Sequence, residues 1–307
     1  MCAPPRAHPQ VRLYNPAPAA NPRLWLTLRA FCPYPIPLLK IICQLPGYHG
    51  LIVSGRQMLG EFSINPGIWL KRFGLTVLEF FLPRLCLFCE AAVGEMAAVA
   101  VCPDCESQIK WVESPLCTRC GQMFLDPGGG DRVCGDCQTD PPPFTRARAA
   151  AIYDGPVAQA ITRFKFNRQM AFLPVMQHWL RRPICMELAS GADLLVPVPL
   201  HPRRIKNRGF NQALLLTQAF PGAAVALEAV VRTRHTPPQV GLNPKARQDN
   251  VKGAFAVPDP GLVKGKTVLL VDDLFTTGST VKECARVLRK AGARQVEVLT
   301  VARVKYE

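Results

Sequence analysis

Acidic residues are in short supply, and the shortage is local. Residues 1–57 contain none, against six basic ones (Arg6, Arg12, Arg23, Arg29, Lys40 and Arg56). A regular hydrophobic period is missing there too, because ten of the thirty prolines fall in this stretch and break each apolar run early. Those prolines exclude the uninterrupted core of a signal peptide and the amphipathic helix of an organelle-targeting segment. Two readings of residues 1–57 remain: upstream sequence read in frame ahead of a start at Met58, which is favoured, or a disordered tail. No apolar run suits a bilayer either, since the longest near the cysteines, IWLKRFGLTVLEFFLP, is short and carries Lys71, Arg72 and Glu79. With 8% aromatics, the interleaving of rings and cations typical of single-strand nucleic-acid binders is sparse apart from Phe164, Phe166 and Phe210.

The formal charge of +15 invites a nucleic-acid reading that does not survive dissection. Six of those charges belong to residues 1–57, leaving nine. If eight cysteines bind two Zn²⁺ as thiolates, the remainder falls to +5. The placement of the basic residues therefore carries more information than their sum. Between Pro66 and Leu82, apolar residues recur at near-helical spacing (Ile68, Trp69, Phe73, Val77, Phe80, Phe81), which predicts an amphipathic helix over 66–82 packed on the neighbouring domain.

Eight of the thirteen cysteines form four C-x-x-C pairs: Cys86/Cys89, Cys102/Cys105, Cys117/Cys120 and Cys134/Cys137. Such clustering indicates metal binding in a reducing compartment, expected to be the cytoplasm, rather than a secreted disulfide framework. Each pair can turn two thiolates onto one ion, and two pairs complete a tetrahedral shell. Sequential pairing is preferred because it closes short loops; an interleaved arrangement stays open. With every ligand a cysteine, no position is left for water, so both sites are expected to be structural. A module over 83–140 with so few apolar residues needs metal to fold.

After the connector TDPPPFTRAR the pattern changes to strands alternating with helices. AAAIY, DLLVPVP, AVALEAVV, KTVLLVDD and QVEVLTVARV read as strands. GPVAQAITRFKF, AFLPVMQHWLRR, FNQALLLTQAF and STVKECARVLRKAG read as helices. The fold class is α/β, a parallel sheet covered on both faces over 149–307.

VLLVDDLFTTGST, residues 268–280, carries the most chemistry. A buried strand ends in two acids, and a small-residue loop leads into a helix starting near Ser279. Ligands of open α/β sheets bind beyond the carboxyl ends of the strands. Loop amides and a helix N-terminus make a phosphate cradle, to which Thr276, Thr277, Ser279 and Thr280 add hydroxyls while Gly278 permits close approach. Asp272 and Asp273 would repel a phosphate, so they are expected to face sugar hydroxyls and a hydrated Mg²⁺. A second loop, PVPLHPRRIKNRGFNQ, gathers Arg203, Arg204, Lys206 and Arg208, whose forks suit a group with several negative charges.

The run of apolar strand followed by D-D-x-x-T-T-G-x-T resembles the phosphoribosyl-pyrophosphate motif of type I phosphoribosyltransferases. The resemblance implies that Asp272 and Asp273 contact the ribose hydroxyls as the candidate catalytic pair. It likewise implies that Thr276, Thr277, Gly278, Ser279 and Thr280 hold the 5′-phosphate. Residues 197–212 are similar to the segment that the ComF/GntX family sets against the pyrophosphate. RTRHTPPQVGLNPKARQDNVKGAF resembles that family's mobile loop, with Gln239, Arg247 and Asn250 as its polar residues. Cysteine pairs and sheet domain together, over 86–307, resemble ComF/GntX proteins, among them proteins of DNA uptake in natural transformation. The resemblance implies a Zn²⁺-stapled double ribbon ahead of a type I phosphoribosyltransferase fold that binds phosphoribosyl pyrophosphate with Mg²⁺. Two functions follow. The preferred one is phosphoribosyl transfer to an acceptor the motifs do not name. The other is a non-catalytic module that senses the ligand and engages single-stranded DNA or uptake proteins. No general base stands out, and His201 and His235 read as loop residues.

Overall fold

The computed structural model describes residues 84–94, 97–126, 128–237 and 243–305. Residues 1–57, the helix expected over 66–82 and Gln239 lie outside the described residues. Two short helices sit in the cysteine-rich part: α1 (Pro103–Ser107) and α2 (Gly135–Thr139). The sheet domain begins with β1 (Arg146–Ile152), α3 (Gly155–Asn167), α4 (Phe172–Trp179), α5 (Pro183–Ser190) and β2 (Leu194–Pro197). It continues with α6 (Pro202–Arg208), α7 (Gln212–Thr217), β3 (Val231–Arg232), α8 (Pro244–Val251) and β4 (Phe255–Ala256), and closes with β5 (Thr267–Phe275), α9 (Ser279–Lys290) and β6 (Gln295–Arg303). Among these described helices none is long and apolar enough to cross a membrane.

The main sheet is parallel throughout, in the order β1-β6-β5-β2. Its central strands are apolar on both faces, as a doubly covered sheet requires. Leu269 and Val271 of β5 and Leu299 and Val301 of β6 face one core, shared with α3, α4 and α5. Val268 and Leu270, with Val296 and Val298, face the other, filled by Cys284, Ala285 and Leu288 of α9. β5 runs on through Asp272 and Asp273 to Phe275, so the two acids are held within a strand rather than after it.

The strand expected over AVALEAVV does not form. One bridge, Leu195 to Val225, stands beside β2, and then the chain turns. The burial explains it: Val225 and Ala226 are inside, Glu228 is exposed, and Ala229 and Val230 are inside again. Apolar pairs separated by a turn plug a core; they do not alternate across a pleat.

Edge strand β1 is not left open. Residues between the two cysteine clusters lie antiparallel along it, with Val112 N donating to Ala150 O at 3.1 Å and Ile152 N to Lys110 O at 2.8 Å. Trp111 packs edge-on against Trp179 with ring centres 6.3 Å apart, and Arg182 stacks on Trp111 at 4.2 Å. The cysteine module thus covers an edge that would otherwise template another chain.

Candidate functional site

The four thiols of Cys86, Cys89, Cys102 and Cys105 lie within 4.8 Å of one another, as do those of Cys117, Cys120, Cys134 and Cys137. This is the sequential pairing. The two clusters repeat one local design. Cys102 N donates to Cys86 Sγ and Cys134 N to Cys117 Sγ, each at 3.4 Å, and Cys102 and Cys134 each occupy the N-cap of a short helix. Burial pushes the Cys86 thiol up, but backbone hydrogen bonds at Cys102, Cys89 and Phe88 outweigh it and bring it down to about 6. Cys117 behaves alike, with burial overcome by backbone bonds at Cys134, Cys120 and Arg119, and also falls to about 6. Amides aimed at sulfur stabilise thiolate, the form that binds metal, and four convergent thiols fit Zn²⁺ with no coordination position left over.

A cavity of about 510 Å³ opens at the carboxyl ends of β2 and β5. Asp272 and Asp273 are in its wall. Asp273 is 2% exposed and its Oδ2 lies 2.7 Å from Lys165 Nζ, in the last turn of α3. Asp272 is partly exposed to the cavity, and its Oδ1 accepts from Asp273 N at 2.9 Å. Burial, then the neighbouring Asp273 charge, raise the Asp272 carboxyl from 3.8 to about 8, with Lys165 opposing.

That shift has a measurable sign. Unfolded, Asp272 releases its proton near 3.8; folded, it holds it to about 8. Between those values the native state binds more protons, so stability falls as pH rises and the loss is complete above the upper one. Asp272→Asn removes this titration. The Tm of the variant relative to wild type is expected to climb from about pH 4 to about pH 8 and then level, which thermal melts in a pH series would record.

Beyond the acids the chain turns at Gly278 into α9. Gly278 has φ 72°, and a Cβ there would lie 2.6 Å from the Phe275 ring, so glycine is required twice over. Thr276, Gly278, Ser279 and Thr280 line the cavity. Thr277 does not; its Oγ1 lies 2.7 Å from Ser279 Oγ and holds the turn. The N-terminus of α9, capped by Gly278, presents its positive end to this space.

Six cations surround the acids and the loop: Arg204 and Arg208 from α6, Lys165 and Arg168 at the end of α3, Arg232 from β3 and Arg247 from α8. The basic loop predicted before a helix is itself helical, with His201 Nδ1 accepting from Arg203 N at 3.2 Å as its N-cap. That geometry turns Arg204 and Arg208 inward and leaves Arg203 exposed outside the cavity. Arg208 Nη1 donates to Gln212 Oε1 at 2.6 Å, and Arg204 Nη2 to Pro237 O at 3.0 Å. Arg232 is 8% exposed and its Nη2 reaches Thr236 Oγ1 at 2.5 Å. Burial first, then Arg204, lowers its basicity. Among the described residues, the buried Nε atoms of Arg232 and Arg247 have no hydrogen-bond partner. Buried donors left unmatched by protein are suited to an anion. His201 and His235 pair ring to ring at 5.0 Å and neither lines the cavity.

Lys165, Arg168 and Arg232 were not marked by any motif. Lys165 follows the fully buried Phe164 on an amphipathic helix, which gives an ordinary surface lysine in sequence terms. Phe166, 65% exposed, reaches the cavity mouth with the Arg208 guanidinium 6.0 Å from its ring.

Two family models match the chain: a double zinc ribbon domain over residues 77–138 and a phosphoribosyl transferase domain over residues 205–306. The "DNA utilization protein YhgH" of Escherichia coli K12 is 35% identical over 234 residues, covering 72% of this chain and 98% of that protein. "Competence protein F" of Haemophilus influenzae is 31% identical over 243 residues, covering 74% and 100%. "Competence protein ComFC" of Bacillus subtilis is 27% identical over 216 residues, covering 66% and 84%.

Proposed function

Because the chain belongs to the ComF family, which joins a double zinc ribbon to a phosphoribosyltransferase-type domain, we propose that its cavity binds phosphoribosyl pyrophosphate with Mg²⁺ and transfers the phosphoribosyl group to an acceptor. One observation carries this reading: a tandem acid pair and a helix-capped hydroxyl loop share a single cavity with six cations. The donor has three parts, and each meets a fitting wall. The ribose diol suits the carboxylates, the 5′-phosphate suits residues 276–280 at the N-terminus of α9, and the pyrophosphate suits Arg204, Arg208, Arg232 and Arg247. Asp272, the acid partly open to the cavity, would hold Mg²⁺ through its hydration shell, and the ion would neutralise charge on the departing pyrophosphate. The protein's own part is positioning. Carboxylates fix the sugar, the loop anchors its far end, and the arginines favour charge separation as the bond to pyrophosphate lengthens.

A second reading, binding without turnover together with single-stranded DNA, is favoured by Phe166, an exposed ring beside Arg208 at the cavity mouth. The names of the relatives, DNA utilisation and competence, agree with either reading. The clustered thiols of this chain support a reducing compartment, the cytoplasm, under either reading. Labelled phosphoribosyl pyrophosphate incubated with Mg²⁺ and a panel of bases, amines and oligonucleotides separates them. Pyrophosphate release that depends on one acceptor is the expected result. Binding with no release for any acceptor, alongside salt-sensitive oligonucleotide binding, would replace transfer with the second reading.

A further inference from the structure

Arg303 ends β6 beside the site and is 2% exposed, yet among the described residues no carboxylate pairs with it. Its Nη1 donates to Cys120 O at 2.6 Å and its Nη2 to Gln122 Oε1 at 2.7 Å, both in the second cysteine cluster. A guanidinium buried without an anion is costly. Four thiolates around one Zn²⁺ carry a net charge of about −2, which supplies the missing counter-charge next to Cys120. The other side of Arg303 faces the ligand loop. Its guanidinium carbon is 5.5 Å from the centre of the Phe275 ring, and Phe275 pairs with it in register across β5 and β6. Phe275 is 6% exposed, is flanked edge-on by Phe144 at 6.2 Å, and lies directly under Gly278, where a Cβ would meet it at 2.6 Å. A second link runs from Asp140, just past the cluster, to Lys282 in the first turn of α9 at 3.6 Å.

Among the described residues the first cluster shows no such path. It meets the sheet domain through Phe88 on Phe172, ring centres 5.5 Å apart, and through Arg163 donating to Leu87 O at 3.2 Å. Leu87, Phe88 and Phe172 belong to the core on the α3–α4 side. Two ribbons of the same design therefore differ in what they touch.

We infer that the second zinc ribbon, and not the first, sets the order of the phosphate loop: Arg303, charge-matched by the metal–thiolate centre, holds Phe275 beneath Gly278. Arg303 is on this view a positioning residue for the site proposed above, and the inference rests on that reading only for its consequence on ligand affinity. Loss of metal from the second ribbon leaves Arg303 without its counter-charge, frees Phe275 to tilt and loosens residues 276–281.

Amide hydrogen exchange on the full chain, with zinc content measured alongside, tests the coupling without any ligand. Cys134→Ser, which removes a ligand of the second site, and Arg303→Met are expected to speed exchange at residues 276–281 by about tenfold, and Arg303→Lys by less. Cys102→Ser, in the first site, is expected to leave it within about twofold. Affinity for phosphoribosyl pyrophosphate should fall in the same order. If Cys134→Ser fails to fold, Arg303→Met and Phe275→Leu decide the matter. Unchanged loop exchange in Arg303→Met, or equal acceleration in Cys102→Ser, would overturn the inference. A wild-type chain that binds no phosphoribosyl pyrophosphate but whose loop still responds only to the second ribbon refutes the proposed ligand and leaves the coupling standing.

Discussion

Asp272→Asn is expected to abolish Mg²⁺-dependent binding of phosphoribosyl pyrophosphate while the protein stays folded; Asp273→Asn is expected to cost stability as well. The two acids are neighbours in sequence but not in circumstance. Asp272 faces the cavity and its charged form is disfavoured by burial and by Asp273, so an isosteric amide relieves repulsion in the ligand-free protein. What it removes is the carboxylate proposed to hold the sugar diol and a hydrated cation, and on that proposal a loss of at least about 100-fold in affinity follows from two or more charge-assisted hydrogen bonds. Asp273, 2% exposed, is the partner of Lys165, whose side chain is 16% exposed. Neutralising it leaves an ammonium in a largely buried position, and destabilisation of about 3 kcal/mol is the usual scale for breaking such a pair. Calorimetry reads the first effect and denaturant midpoints the second. Unchanged affinity in Asp272→Asn would refute the site; unchanged stability in Asp273→Asn would show that Lys165 finds another anion or water.

The parts of this site that were legible in sequence are those where one short segment carries both fold and chemistry. VLLVDDLFTTGST shows a buried strand, its acids, its loop and the start of α9 at Ser279, because strand apolarity, tandem acids and a small-residue turn are all local. The cysteine pairs announced their metal for the same reason, and short loop closure favoured the sequential pairing that the thiol positions show. What escaped depends on distant segments meeting. Lys165 pairs with Asp273 across more than a hundred residues of chain, and nothing around RFKF distinguishes it from a solvated lysine. Arg232 enters the cavity only because the short β3–β4 ladder fixes its strand. Arg203 and Thr277 erred the other way. A composition of four cations or four hydroxyls cannot tell which members face inward; that is set by the α6 N-cap at His201 and by the turn that Thr277 itself closes. The polar segment over 232–255, read as one mobile loop, contains α8, with Asn243 Oδ1 accepting from Ala246 N at 2.8 Å to start it.

Stripping zinc is expected to dismantle residues 84–138 while the parallel sheet survives. The cysteine module contributes few apolar side chains of its own: Val93, Val101, Ile109, Val112 and Leu116 are buried, and the cysteines themselves fill much of the remaining interior. Structural Cys₄ sites supply on the order of 10 kcal/mol of folding energy each, more than so small a core can replace. β5 and β6, by contrast, are buried on both faces by helices independent of the metal. Limited proteolysis after treatment with a strong chelator should therefore cut within 84–138 and spare residues 146–303. The consequence reaches further than local unfolding. Residues 110–112 leave β1 when the module melts, as does Arg119, whose carbonyl accepts from Ala147 N at 2.6 Å, and the edge of β1 is uncovered. Exposed edges pair with other edges. The metal-free protein should then self-associate as its concentration rises, which light scattering would follow and added zinc would reverse before aggregation sets in. A proteolysis pattern unchanged by zinc removal would mean that the ribbons fold on packing alone, and the metal's structural role would fall with it.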